Sequence, residues 1–239
     1  MNGDEVESVL AVVEDAWKAT CADYDSRTLN SERCLQAAFY FHLRSNLNQH
    51  IGYVIFVEAT VTLPKTAEDE NASFSAKGGK RIAIDTLVCK DDRILIAIEL
   101  KYAPRGFPGG DGIRKDLLSL SRIRNHSAKA KRVEIEIARH HETNSGNRLV
   151  LTISPHAKML LGIFCRAPRQ PRQAEEFWNL YRPSEGPWSG RVRGAPPRLG
   201  LCFGYAPEPG TSKPAMVHFV GQPFGATDLC PAVRPAANR

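Results

Sequence analysis

The sequence predicts an α/β protein: a mixed central sheet with helices on both faces. Three observations carry that expectation. Val6, Leu10, Val13 and Trp17 recur at helical spacing near the N-terminus. "YVIFVEATVTL" and "RIAIDTLVCKDDRILIAIELKY" read as apolar strands, the second folded back at a short acidic turn. "IRKDLLSLSRIRN" then returns to helical spacing through Ile113, Leu117 and Leu120.

Taken in order, the first helix is followed by a second that starts at Asn30 or Ser31, either of which can cap it. Leu35, Phe39 and Leu43 form its apolar stripe, while Glu32 and Gln36 share another line one turn apart. The strand from Tyr53 to Leu63 alternates, with Tyr53, Ile55, Val57, Ala59 and Val61 on one face and Glu58 on the other. A polar loop, Lys65–Lys80, leads to the hairpin. "FPGGDG" breaks the chain before the third helix. "HSAKAKRVEIEIARHHE" fits helix or strand, whereas Arg148–Ser154 and Leu160–Cys165 read as two separate buried strands.

From Pro168 onward lie 12 of the 16 prolines and 8 glycines. The expected organisation is therefore a core over 1–167 and a loop-rich extension over 168–239. The extension carries short strands such as "GLCFGY" and "AMVHFVG", and a disordered tail after Pro231.

Composition narrows the function classes. The 239 residues are 42% hydrophobic and 24% charged, as in an ordinary soluble globular protein. No run approaches the ~18 apolar residues of a membrane span. The acidic, polar start "MNGDEVESVL" is unlike a leader peptide, so the expectation is a cytoplasmic protein without a membrane partner. The six cysteines contain no C-x-x-C pair, against structural zinc, and a cytosolic setting argues against disulfides. The histidines form no ligand pattern, and adjacent His140 and His141 would diverge. Residues 1–72 carry a net charge of −7 and residues 73–239 one of +13, which points to an anionic partner, nucleic acid first.

The hairpin holds three charges where a buried sheet should have none: Asp85, Glu99 and Lys101. Alternation places Glu99 and Lys101 on one face with Leu95 and Ala97, leaving Ile94, Ile96, Ile98 and Leu100 for the other face and the core. A three-residue turn, Asp91–Arg93, sets Asp85 opposite Glu99. A two-residue turn shifts the pairing by one, and a bulge restores it. Facing carboxylates lie ~4.5–5.5 Å apart at Cβ and destabilise a sheet unless something positive separates them. A hard divalent cation such as Mg²⁺ suits two carboxylates with open water positions. Lys101, one step along the same face, is near enough to orient an attacking water or hold a phosphate oxygen. This combination is the chemistry of phosphodiester hydrolysis.

An aspartate 14 residues before Glu-x-Lys in a hairpin resembles the PD-(D/E)XK nuclease superfamily, the restriction-endonuclease-like fold, over roughly residues 30–165. The resemblance extends to Glu32 on the preceding helix, Glu58 on the strand before the loop, and Asp116 early in the following helix. Ile84 replaces the proline of the family's name. The resemblance implies a nuclease requiring Mg²⁺, with Mn²⁺ as a substitute, and acting on DNA. It casts Asp85, Glu99 and the Leu100 carbonyl as metal ligands and Lys101 as the residue that positions the water, with Glu32 and Glu58 accessory. Arg114 and Lys115 are candidates for phosphate contact. A homodimer, or a subunit of a larger defence or repair system, is compatible with this reading. The competing expectation is a module of the same fold that binds nucleic acid or protein without cutting.

Overall fold

The N-terminal periodicity forms two packed helices, α1 (Gly3–Asp25) and α2 (Glu32–Leu47). The computed structural model describes residues 3–25, 28–47, 52–63, 80–106, 108, 110–127, 132–136, 148–166, 199–207 and 215–220. Ser31 caps α2: its Oγ accepts the Cys34 N–H at 3.2 Å and its carbonyl accepts the Leu35 N–H at 3.0 Å. Leu35, Phe39, Leu43 and Leu47 are all buried, each worth ~1.5–3 kcal/mol relative to exposure.

Among the described residues seven strands follow: β1 (Tyr53–Leu63), β2 (Lys80–Lys90), β3 (Arg93–Ala103), β4 (Arg132–Glu136), β5 (Arg148–Arg166), β6 (Leu199–Ala206) and β7 (Met216–Val220). A third helix, α3 (Gly110–Ser127), connects β3 toward β4 and β5. β3 and β5 run parallel, which requires a long crossover, and α3 lies in it. β4 joins β1 to the first part of β5, so the pairings close in a circuit β1–β2–β3–β5–β4–β1. The sheet therefore curls around α3, whose Ile113, Leu117, Leu120 and Ile123 fill the concave core. α1 and α2 cover the other face through Trp17, Leu35, Phe39 and Leu43. β6 and β7 extend the same sheet beyond β5, so the described part of the 168–239 extension is continuous with the core. No helix among the described residues is long and apolar enough to cross a membrane.

Three points refine or differ from the sequence expectation. First, within the segment that fitted helix or strand, Arg132–Glu136 is strand, with Val133 and Ile135 buried on one face. Second, Arg148–Ser154 and Leu160–Cys165 belong to one strand, β5. Pro155 sits where the ladder skips from Ile153 to Lys158, in a bulge that needs no N–H from it. Third, neither β1 nor the start of β3 keeps a single face. Tyr53 and Ile55 pack toward α1 and α2, while Ala59, Val61 and Leu63 pack toward α3. Ile94 likewise lies on the α3 side and Leu95 on the α1/α2 side, because a bulge at Leu95 flips the alternation. Both faces of β3 are core. The segments 64–79, 137–147 and 221–239, with His140, His141 and the expected tail, lie outside the described residues, as do Trp178 and Trp188.

The sheet packs against α1 through two glycines. Gly162 of β5 has no side chain where Leu100 and Trp17 converge; a Cβ there would stand 2.7 Å from Leu100 Cδ2 and 3.0 Å from Trp17 Cζ3. Trp17 Nε1–H in turn donates to the Phe203 carbonyl at 3.2 Å. At Gly204 of β6 a Cβ would stand 2.5 Å from Phe164 Cδ2 and 2.6 Å from Cys21 Sγ. Gly204→Ala should therefore destabilise the fold by ~1–3 kcal/mol, the usual penalty for overpacking a filled core. Urea unfolding of the two proteins should show a lower midpoint at unchanged slope; an unchanged midpoint would mean that this contact is loose.

Candidate active site

The β2–β3 hairpin turns on two residues, Asp91 and Asp92, with φ of 46° and 58°. Both are left-handed, as a type I′ turn requires. The pairing starts at Lys90↔Arg93 and Cys89↔Ile94 and changes after the bulge to Val88↔Ile96, Leu87↔Ala97 and Thr86↔Ile98. The two-residue turn with a compensating bulge is thus the version adopted, and Asp85 and Glu99 are next in register.

The ladder itself stops at Thr86↔Ile98. On β1, Glu58 stands across from Asp85 in register, between the pairs Val57↔Thr86 and Ala59↔Ile84, without forming a pair itself. Its φ is 49°, a costly value for a non-glycine residue. β1 and β2 change face together at this level: Phe56 and Ala59 both pack toward α3, as do Ile84 and Leu87. Asp85, at this step, sends its carboxylate to β3 in place of the strand pairing. Its Oδ2 accepts the Leu100 N–H at 2.7 Å. Two residues on, the Tyr102 N–H is taken at 3.3 Å by Oε2 of Glu32, the first residue of α2. Gln36, one helical turn later, donates from Nε2 to Asp85 Oδ1 at 3.0 Å.

Glu99 and Lys101 project on the α3 side of β3, where Ala97 also lies. Glu99 is 6% exposed, and its carboxyl interacts with that of Asp85. Burial pushes the Glu99 carboxyl up to about 10, with Asp85 and Asp116 adding to the rise and Lys101 opposing it. Burial also raises Asp85, against the Leu100 N–H and the Glu99 hydrogen bond. At neutral pH Glu99 therefore keeps its proton. Lys101 Nζ lies 3.1 Å from Asp116 Oδ2 on α3 and 3.8 Å from Glu32 Oε1 on α2. Burial works against its charge, but Asp116, Glu32 and Asp85 more than offset it, so the ammonium is held above the usual lysine range. Asp116 is itself raised, burial outweighing the attraction of Lys101.

The structure brings Asp85, Glu99, Lys101 and Glu32 to one place. Leu100 contributes its N–H there while its side chain packs toward α1 and α2. Glu58 flanks Asp85 across the ladder and is exposed. Arg114 and Lys115 are exposed on the first turns of α3. Asp116, which the sequence offered only as part of the resemblance and without a role, stands closer to the lysine ammonium than Glu32 does. Its signal was an acid on the helix that follows Glu-x-Lys, one position before a buried Leu117. Gln36 carried only its one-turn spacing from Glu32.

Among the described residues no group of three or more His, Cys, Asp or Glu side chains stands in position to hold a metal ion. Asp85 and Glu99 could together offer oxygen donors to a hard cation, which would displace the proton that Glu99 keeps. Comparison with known protein families, curated proteins and solved structures finds no match.

The raised Glu99 carboxyl fixes the sign of a pH effect. A group that binds its proton more tightly when folded contributes stability below its unfolded value, and that stability is lost as pH rises through the folded one. Between pH about 4.5 and about 10 the metal-free protein should lose stability on this account. Thermal melts in EDTA across that range should show a decline that Glu99→Gln flattens. Parallel curves for wild type and variant would refute the raised carboxyl.

Proposed function

We propose that this chain is a metal-dependent nuclease of the restriction-endonuclease-like fold that hydrolyses phosphodiester bonds in DNA. The observation that carries the reading is that Asp85 and buried Glu99 stand next in register at the end of the hairpin ladder, two residues before Lys101. Two carboxyls side by side repel one another once both are ionised, a cost that a cation between them would offset, and the lysine beside them suits an anionic substrate. The order of helix, strand, hairpin, helix and parallel strand agrees with the resemblance drawn from the sequence.

In this reading Asp85, Glu99 and the Leu100 carbonyl hold Mg²⁺ or Mn²⁺, with Glu58 and Glu32 as accessory acids. Such an ion supplies polarisation of the scissile phosphoryl group and an attacking water of lowered pKa. Lys101 holds its ammonium beside the reacting centre, where it orients the water and neutralises charge gathering on the phosphate. Gln36 fixes Asp85 by binding the oxygen that the Leu100 N–H leaves free. Affinity for DNA comes from phosphate contacts made by the basic part of the chain, with Arg114 and Lys115 the exposed cations on α3 nearest Asp116 in sequence.

A second reading has its own observation. Asp85 and Glu32 already complete the hydrogen bonding of Leu100 and Tyr102, a role that needs no metal. A non-cleaving module that binds nucleic acid, alone or within a larger assembly, would keep them for that reason. One experiment separates the two. Plasmid, linear and single-stranded DNA are incubated with Mg²⁺, Mn²⁺ or EDTA, beside a binding titration at fixed salt. Lys101→Ala should cut at least about 100-fold more slowly than wild type while binding DNA nearly as well. Wild-type binding without cleavage under any metal would favour the module, and cleavage by Lys101→Ala at the wild-type rate would remove Lys101 from the chemistry.

A further inference from the structure

We propose that Asp116 is the positioning residue for Lys101, holding its ammonium inside the notch beside Asp85 and Glu99. The inference rests on the nuclease reading for its catalytic consequence, but the tether itself does not. Asp116 sits on the face of α3 that packs into the sheet, among Ile113, Leu117 and Leu120, and is 8% exposed. An apolar side chain would pack there at no electrostatic cost, whereas a carboxylate in such a place is costly unless paired. Its pairing is with Lys101 at 3.1 Å, at an angle poor for a hydrogen bond, so the attraction is chiefly charge on charge.

The lysine stem runs against the first turn of α3: a Cβ built on Gly112 would stand 3.9 Å from Lys101 Cε. Glu32 approaches Nζ from α2, across the sheet from α3, but differs from Asp116 in two ways. It is farther, at 3.8 Å, and its side chain is 43% exposed against 11% for Asp116. Its other oxygen is engaged by the Tyr102 N–H. Asp116 is therefore the buried inner anchor and Glu32 the outer, solvated one. Without the inner anchor the ammonium is drawn toward Glu32, away from the carboxyl pair.

Two readouts test this. Protein labelled with ¹⁵N-lysine gives an ammonium signal for Lys101, assigned by its loss in Lys101→Arg. In wild type it should stand apart from those of exposed lysines through slow hydrogen exchange, collapse toward them in Asp116→Asn, and persist in Asp116→Glu. In the cleavage assay Asp116→Asn should lower kcat by about 10- to 100-fold, with KM changed less than about threefold, because a misplaced group impairs reaction more than binding. Asp116→Glu should recover part of that loss. An unmoved ammonium signal in Asp116→Asn overturns the tether, even if kcat falls with stability, since a merely structural residue would behave so. If the Asn variant does not fold, Asp116→Glu decides: a retained ammonium signal supports the tether and a lost one overturns it. If wild type shows the signal and its dependence on Asp116 but cleaves nothing, the nuclease reading fails and the tether stands.

Discussion

Beyond Thr86 and Ile98 the β2–β3 ladder ends, and the edge of β3 that β2 has left still carries amide groups in need of acceptors. Buried backbone N–H groups are almost never left unpaired. Here the Leu100 and Tyr102 N–H groups are met in turn by the carboxylates of Asp85 and Glu32. That requirement brings acid to the edge of a strand whose next outward side chains are Glu99 and Lys101. The bulge at Leu95, the left-handed Glu58 and the shared change of face in β1 and β2 all serve the same placement. Without the bulge, the tight Asp91–Asp92 turn would carry Asp85 one residue out of step with Glu99, and the two carboxyls would lie on opposite faces.

The carboxylates have two uses at once, and the electrostatics show the tension. Asp85 is held by the amide it caps, yet it adds to the burial that makes its neighbour Glu99 keep its proton. Lys101 stands close enough to lower both but is engaged by Asp116 and Glu32. On the proposed nuclease reading, a cation of higher charge density than a lysine ammonium would relieve that tension. The helices supply the rest: α2 from one face contributes Glu32 and Gln36, and α3 from the other contributes Asp116.

Much of this was legible in the chain. The apolar hairpin fixed its own strands, and the placement of Asp85 against Glu99 followed from counting residues around a turn and allowing one bulge. The stripes of α1 and α2 were plain because their apolar residues repeat at helical spacing, and the start of α2 was narrowed to Asn30 or Ser31. Other features were not legible, for physical reasons. Alternation cannot announce where it breaks, so the face changes at Glu58 and Leu95 were invisible. Pro155 looked like a strand boundary because a proline inside a ladder is unfavourable, unless a bulge relieves it. Asp116 lies on a helix whose approach to Lys101 depends on the curl of the sheet, which is set by the β3–β5 and β1–β4 pairings far apart in sequence.

The central claim is that a divalent cation takes the place of the proton that Glu99 keeps beside Asp85. Calorimetric titration with Mn²⁺ near pH 7, repeated in two buffers of different ionisation enthalpy, tests it most directly, because metal binding to a protonated site releases the proton. One saturable site is expected, with release of about one proton per ion, and Asp85→Ala should lose most of the affinity. Glu99→Gln should bind more weakly and release no proton. Equal binding by wild type and Asp85→Ala, or binding with no proton release, would contradict the claim.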